Sequence, residues 1–253
     1  MAQRYFIELA YKGTHFHGWQ VQPNAVSVQE CLEKALTTIT REEIAVTGAG
    51  RTDTGVHASY YVAHFDSEKQ NLDHRDFAHK LNSFLGNDIV IFNVAKVSPE
   101  AHARFDAISR TYQYHLYLLK DPFLLETSWH FFRPLNLEQM NAACQILFEY
   151  TDFTSFSKLH TDVKTNNCKI YFAEWTQSGN NIVFTVKADR FLRNMVRALV
   201  GTFIEVGMGK LDLDDFRKVI EKKDRGVAGT SVPAHGLFLT DIEYPETVFK
   251  RTV

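Results

Sequence analysis

The sequence contains too few cysteines for covalent or zinc-based stabilisation. Only Cys31, Cys144 and Cys168 occur among 253 residues, and they lie far apart. This distribution argues against a disulfide framework and against a Cys-x-x-Cys zinc site. A chain of this length buries roughly 70–75% of the surface that its unfolded form exposes, so it needs neither. We expect a reducing compartment, most simply the cytoplasm.

Long apolar runs and an excess of one charge are also missing. No stretch approaches the roughly 18 apolar residues of a membrane span, and residues 1–6 have no signal-peptide anatomy, so we expect no membrane partner. The formal net charge is −2, with 28 Lys and Arg against 30 Asp and Glu. A strongly basic total often marks a nucleic-acid binder. Because folding can sort charges by face, this balance neither supports nor excludes an RNA partner.

The common catalytic and cofactor-binding motifs are absent from the sequence. No Gly-x-Ser-x-Gly elbow is present, which argues against a serine hydrolase. The pair Gly48 and Gly50 completes neither a dinucleotide fingerprint nor a P-loop. None of the 11 histidines forms a metal-ligand pattern, and His74 and His79 are five apart on a predicted helix. We therefore expect no metal and no cofactor.

Hydrophobic spacing predicts a mixture of helices and strands in the first half. Ser27 and Glu30 form a capping box before apolar residues at helical spacing, which predicts a helix over residues 28–40. A second helix around Phe77 is predicted to end at Gly86. Strands are predicted over residues 5–11, 44–47, 60–65, 89–97 and 110–119. The fourth of these is nearly all apolar, so we expect it to be buried on both faces.

The second half, from about residue 134, repeats this mixture. Its predicted elements are helices over residues 137–148, 191–206 and 212–223, a hairpin over residues 169–177 and 181–187, and a closing strand over residues 236–242. The fold class is therefore α+β, with helices packed on one face of a sheet. Similar proportions of sheet and helix in both halves predict two related lobes, residues 1–133 and 134–253, with a central cleft between them.

The most unusual segment is residues 48–58, which contain three glycines within eight residues. Arg51 and Asp53 flank Thr52, so in an extended backbone both side chains would project to the same side. One interpretation is a tight connection that carries a surface Arg–Asp pair. The other is a carboxylate that acts as a nucleophile or general base at a strand end. The residues alone do not decide between them.

Two further segments combine basic and aromatic residues. Tyr112 lies between Arg110 and Tyr114, which is either a stacking site for a nucleobase or an inward-facing core tyrosine. Arg197 lies on a predicted apolar helix, where an unpaired guanidinium would cost several kcal/mol. We expect it to pair with a carboxylate, either that of Asp53 or that of Asp189, which is nearer in sequence.

Five segments in this order resemble the bacterial tRNA pseudouridine 38-40 synthase family, over nearly the full length of the chain. They are residues 11–22, residues 48–58, residues 102–105 with 110–112, residues 191–197 and residues 229–239. The resemblance implies a pseudouridine synthase fold and an isomerase that converts uridine to pseudouridine in tRNA. One departure is Thr111, which stands where family members often carry a basic residue.

The resemblance also implies roles for individual residues. Asp53 would be the catalytic nucleophile, which attacks the target uridine at C1′ of the ribose or at C6 of the base. Tyr112 would stack on the flipped uracil, and Arg197 would hold Asp53 ionised through an ion pair. Arg51 would contact the RNA backbone or the displaced base. Leu237 would pack against the base in its pocket.

The partner implied by the resemblance is the tRNA anticodon stem-loop, with uridines 38, 39 and 40 as targets, bound by a homodimer. Three alternatives stay open at this point. The chain could modify other tRNA positions, or it could bind RNA without catalysis. A glycosidase-like hydrolase is the third, although no motif supplies the second carboxylate which that reaction needs.

Overall fold

The structure of the protein, a computed structural model, describes residues 2–158 and 165–249. These residues form five α-helices and nine β-strands, which confirms the α+β class. The chain divides into two compact units: unit 1 contains Met1–Ile108 and Leu239–Val253, and unit 2 contains Ser109–Phe238. The lobe boundary after residue 133 stays a prediction. No helix within the described ranges is both long enough and apolar enough to cross a membrane.

Unit 1 is an antiparallel sheet with two helices. Its elements are β1 (Gln3–Tyr11), α1 (Val28–Thr40), β2 (Val46–Gly48), β3 (His57–Ser67), α2 (Arg75–Phe84) and β4 (Ile89–Lys96). The strand β1 lies between β4 and β3, and β2 pairs with β3. Tyr5 of β1 lies opposite Phe65 of β3, and their rings stack at 5.4 Å. The helices α1 and α2 contact each other, and α2 packs against β4.

The predicted first helix is confirmed, together with its start signal. The Ser27 side chain accepts a hydrogen bond from the backbone N–H of Glu30 at 3.2 Å, which satisfies a donor of the first turn. Leu32 and Leu36, four residues apart on one face, are fully buried. The helix ends where Arg41 adopts a left-handed conformation with φ of 59°.

Two predictions for unit 1 are wrong. The helix α2 ends at Phe84, with Leu85 in an extended conformation, so Gly86 does not cap it. The strand β4 is not buried on both faces, because Val90 and Phe92 are 40% and 53% exposed. The helix α2 packs against β4, and the alternate residues Ile89 and Ile91 are buried, so one face of the strand is covered and the other is exposed.

Unit 2 also combines helices and strands. Its elements are β5 (Ser109–Tyr117), β6 (Trp129–His130), α3 (Leu137–Ile146), β7 (Ile170–Ser178), β8 (Asn181–Ala188), α4 (Met195–Gly207) and α5 (Leu213–Glu221). The strand β9 (Leu237–Glu243) begins in unit 2 and ends in unit 1. The predicted hairpin is confirmed: β7 and β8 are antiparallel, and Ser178 lies opposite Asn181 across the turn. The strand β8 also pairs with β5.

Aromatic rings from four elements form the core of unit 2. Trp175 of β7 stacks on Phe184 of β8 at 4.9 Å, and Phe203 of α4 lies 5.1 Å from Phe184. Phe216 of α5 stacks on Phe203 at 5.2 Å. Each such pair contributes about 0.5–1.5 kcal/mol beyond its area burial. This core fixes α4 and α5 against the sheet.

The helix α4 begins later than its apolar pattern predicts. Its first residue is Met195 rather than Phe191, because Asn194 adopts a left-handed conformation with φ of 67°. Asparagine tolerates this conformation better than most residues. Arg193 therefore precedes the helix and is exposed, whereas Arg197 lies within its first turn and is half-buried.

Candidate active site

Residues 48–58, here called the glycine loop, connect β2 to β3 in unit 1. The loop is bonded to the chain that follows β1, residues 12–22, here called the first loop. The backbone N–H of Trp19 donates to the carbonyl of Thr52 at 3.4 Å. The hydroxyl groups of Thr52 and Tyr11 share a hydrogen bond of 2.9 Å. Two of the segments that carried the family resemblance therefore form one packed structure.

Close backbone approach between these two loops requires glycine at two positions of the first loop. A Cβ atom at Gly13 would lie 2.0 Å from the carbonyl oxygen of Val56. A Cβ atom at Gly18 would lie 2.3 Å from the carbonyl oxygen of Thr52, and the φ of Gly18 is +85°. Both distances are far below van der Waals contact, so a larger residue would separate the loops.

An aromatic cluster supports the other side of the glycine loop. The rings of Trp19 and Tyr61 stack at 4.1 Å, and Tyr11 meets Tyr61 edge-on at 5.6 Å. The Tyr61 hydroxyl donates a short hydrogen bond to the carbonyl of Gly50. Gly48 lies directly against Trp19 and Tyr61, where a Cβ atom would clash with both. The glycine loop is thus fixed by the aromatic rings of Trp19 and Tyr61 and by the backbone of the first loop.

Asp53 lies on this fixed backbone, at the start of a turn. The N–H of Val56 donates to the Asp53 carbonyl at 3.1 Å, and the Asp53 side chain is half-buried. Arg51, two residues earlier, is exposed. A carboxylate held in this way can act as a nucleophile or as a general base.

Tyr112 and Tyr114, two residues apart on β5, have different surroundings. Tyr112 lies opposite Val186 of β8, is half-buried and meets the ring of Phe191 edge-on at 5.0 Å. Tyr114 is fully buried. Tyr114 is therefore a core tyrosine of this strand, whereas Tyr112 is only partly buried.

Two side chains of unit 2 bond to consecutive backbone carbonyls before β9. The Arg197 Nε donates to the carbonyl of Val232 at 2.7 Å, and the Tyr114 hydroxyl donates to the carbonyl of Pro233 at 2.8 Å. Burial raises the pKa of Tyr114, and the Arg197 guanidinium opposes this shift. Leu237, the first residue of β9, is buried four residues after Pro233. Arg197 and Leu237 thus belong to one fixed region of unit 2.

Asp189, the alternative partner for Arg197, serves the local backbone instead. Its carboxylate accepts hydrogen bonds from the N–H groups of Lys169 at 2.8 Å and Arg190 at 2.7 Å. The Asp189 carboxylate therefore fixes the backbone just before β7 and just after β8.

The described residues contain no group of three or more His, Cys, Asp or Glu side chains that could hold a metal ion. His74, one of the two histidines considered for ligand spacing, caps α2: its Nδ1 accepts from the backbone N–H of Phe77 at 3.2 Å. All three cysteines are free thiols.

Several supporting residues were not found by sequence reasoning. Tyr61 had no signal beyond its place in a predicted strand, and the contacts of Trp19 could not be read from its motif. The sequence indicates Tyr114 only as a neighbour of Tyr112. Its hydrogen bond crosses 119 residues of sequence, and no local pattern encodes a contact of that separation.

Comparison with known proteins identifies the class. A family model described as tRNA pseudouridine synthase matches residues 9–106 and 143–245 of this chain. The chain belongs to this family, as the resemblance predicted.

Individual relatives agree with this assignment over nearly their full length. A tRNA pseudouridine synthase A of Bacteroides fragilis is 59% identical, over 98% of this chain and 99% of the relative. A protein of the same name from Parabacteroides distasonis is 57% identical, over 98% of each chain. A more distant one, from Francisella tularensis subsp. novicida, is 38% identical over 99% of this chain and 98% of its own.

Proposed function

We propose that this chain isomerises uridine to pseudouridine in tRNA, at positions 38, 39 and 40 of the anticodon stem-loop. Family membership over nearly the full chain supports the reaction. The observation that carries the proposal is the position of Asp53, a half-buried carboxylate on a loop that is fixed on two sides. Fixed geometry lowers the entropic part of the barrier for a reaction at one atom.

The reaction needs one nucleophile and no change of oxidation state. The Asp53 carboxylate attacks the target uridine, and the glycosidic bond from C1′ to N1 breaks. The base turns, a bond forms from C1′ to C5, the proton on C5 passes to a general base, and N1, which kept the electron pair of the broken bond, takes up a proton. The carboxylate is then released, so atoms and electrons balance without a cofactor. The base must first leave its stack, which costs a few kcal/mol.

Four other residues have proposed roles in binding. Tyr112 stacks on the flipped uracil and takes part in removing the C5 proton, and its partial exposure on β5 supports this role. Arg197 holds Asp53 ionised, and Leu237 packs against the base. The exposed Arg51 contacts the RNA backbone or the displaced base.

We also propose that the chain acts in the cytoplasm as a homodimer. Three large apolar side chains follow β5 closely and are well exposed: Leu119 at 63%, Phe123 at 91% and Leu125 at 57%. Exposed apolar patches are typical of protein contact surfaces. Sedimentation velocity tests this: Phe123→Ser should shift the protein toward monomer, and a monomeric wild type would contradict the proposal.

The decisive experiment is tritium release from tRNA that carries 5-tritiated uridine. The wild type should release tritium without cofactor, because the C5 proton leaves in the reaction. Asp53→Asn should fold and bind tRNA but lose about 10³-fold or more in rate. The exposed Asp214 provides a matched control, and Asp214→Asn should retain full activity.

Each alternative has its own outcome in this experiment. Retained turnover in Asp53→Asn would remove Asp53 from the nucleophile role. Tight tRNA binding without release would favour a non-catalytic RNA-binding protein, and free uracil in the product would indicate a hydrolase. Mapping pseudouridine in tRNA from a deletion strain decides whether positions 38–40 or other positions are modified.

The role of Tyr112 has a separate test. Tyr112→Phe keeps the ring but removes the hydroxyl, so tRNA binding should persist while turnover falls, by about 10²-fold for a lost proton-transfer group. The same tritium assay, at saturating tRNA, measures this. Unchanged turnover would restrict Tyr112 to stacking.

A further inference from the structure

The segment 102–105 of unit 1 is part of the family resemblance but has no role in the proposed reaction. It forms a short loop between β4 and β5 that presents Phe105 to solvent, with 74% of the side chain exposed. Because its ring is exposed, Phe105 contributes little hydrophobic stabilisation to the fold. The exposed ring is therefore available for a contact outside the chain.

The loop that carries Phe105 is tightly organised. The backbone N–H groups of Arg104 and Phe105 both donate to the His102 Nδ1, at 3.1 Å and 3.3 Å. The Asp106 carboxylate accepts from the N–H of His102 at 2.8 Å, and the N–H of Asp106 donates to the His102 carbonyl at 3.0 Å. These four bonds close the loop on itself and set the direction of Phe105.

The middle of the loop is also anchored to the body of unit 1. Ala103 is fully buried. Its N–H donates to the Nδ1 of His64 on β3 at 3.1 Å, and its carbonyl accepts from the Tyr244 hydroxyl at 2.5 Å. The exposure of Phe105, two residues further on, is therefore a feature of an ordered loop rather than of a frayed end.

The groups around the Phe105 ring define the kind of ligand it suits. The Arg104 guanidinium carbon lies 5.6 Å from the ring centroid, and the His102 ring lies 4.3 Å away at 37°. An aromatic face beside a guanidinium is the combination on which unpaired RNA bases stack. The guanidinium also favours a partner that carries phosphate.

We propose that Phe105 and Arg104 form a stacking platform for one unpaired base of the tRNA, separate from the glycine loop. The inference rests on the proposed tRNA substrate. Because the backbone bonds already fix the loop, little conformational freedom is lost when a base stacks on it. The platform would add affinity and orient the tRNA without taking part in the chemical step.

The first test compares the tRNA affinity of variants. Phe105→Ala should bind tRNA about 5- to 20-fold more weakly, since stacking on an aromatic side chain is lost. Phe105→Trp should bind as the wild type does. Phe92, another exposed phenylalanine of unit 1, provides the control, and Phe92→Ala should not change the affinity.

The salt dependence of binding separates stacking from a phosphate contact. Phe105→Ala should lower the affinity without changing the slope of log K against log salt, whereas Arg104→Gln should reduce that slope by about one. Photocrosslinking with tRNA that contains 4-thiouridine should place an adduct at Phe105. Unchanged affinity of Phe105→Ala, with every adduct elsewhere, would overturn the proposal.

The test also distinguishes this inference from the proposed function. Wild-type tritium release decides the function, and the affinity ratio of the Phe105 variants decides the platform. Sedimentation velocity completes the design: if Phe105→Ala dissociates an oligomer and binds tRNA less tightly only for that reason, the platform is a protein contact and the proposal fails.

Discussion

The two units hold their candidate residues in different ways. In unit 1, Arg51 and Asp53 lie on an irregular loop between two strands. In unit 2, Tyr112 lies on β5, Arg197 in the first turn of α4, and Leu237 at the start of β9. The loop in unit 1 is irregular, whereas regular strands and a helix position the three residues of unit 2.

This difference determines which neighbours matter. The glycine loop is fixed by backbone that approaches without room for a Cβ atom and by rings beneath it. The region before β9 is fixed by two side-chain hydrogen bonds to consecutive carbonyls, from Arg197 and Tyr114. We therefore expect substitutions to be tolerated least at the contacts of the glycine loop, where only a movement of the backbone could relieve a clash.

The largest effect on stability is expected at Gly18. Gly18→Ala combines a φ of +85° with a Cβ atom 2.3 Å from the Thr52 carbonyl oxygen, and it should lower the free energy of unfolding by about 2–4 kcal/mol. The activity should fall as well, because the backbone next to Asp53 must move. Urea denaturation and tritium release measure the two effects.

Gly50 provides the control within the glycine loop. A Cβ atom at Gly50 would meet no atom within 4 Å, so Gly50→Ala should leave the stability unchanged. If Gly18→Ala is as stable as Gly50→Ala, close packing between the two loops does not fix Asp53, and the contrast between the units is lost.

A smaller effect is expected in unit 2. Tyr114→Phe removes the donor to the Pro233 carbonyl and should cost about 1–2 kcal/mol of unfolding free energy. Since the same segment leads to Leu237, turnover should fall about ten-fold at saturating tRNA. Denaturation and kcat are the measurements.

Tyr117 of the same strand provides the comparison. It is also buried, but its hydroxyl makes no hydrogen bond to the described residues. Tyr117→Phe should therefore change neither stability nor turnover. Equal losses in both variants would show that the packing of β5, rather than the bond to Pro233, accounts for the effect.

The smallest effect is a pH dependence of unit 1. Burial, assisted by the charges of Arg4 and His102, lowers the pKa of His64 from 6.5 to about 4. Between these values the unfolded chain binds more protons than the folded chain, so stability is present above pH 6.5 and is lost as the pH falls toward 4. From pH 7 to pH 5.5 the loss should be about 1 kcal/mol.

The variant His64→Gln should flatten this dependence, although it also removes the ring that accepts from Ala103. Urea denaturation at several pH values measures the slope. His79→Gln, at an exposed position of α2, should leave the slope as it is in the wild type. A wild-type stability that does not change between pH 7 and pH 5 would contradict the prediction.

Local patterns were sufficient for much of the secondary structure. The capping box at Ser27 predicted α1 at its observed bounds, and the spacing of turn residues predicted the β7–β8 hairpin. Local patterns failed where neighbours in space decide. The exposed face of β4 depends on which elements cover it, and the start of α4 depends on the single conformation of Asn194.

The sequence by itself determined the α+β class, the family and the unusual glycine-rich segment around Asp53, because these depend on residue type and order. Only the tertiary structure decided how that segment is held. The first loop packs against it at Gly13 and Gly18, and the Tyr61 hydroxyl donates a hydrogen bond to its Gly50 carbonyl. Such contacts join residues far apart in the chain, and they form only when the strands that carry them are paired. Periodicity reports the face that a residue occupies, but it does not report what the residue meets there.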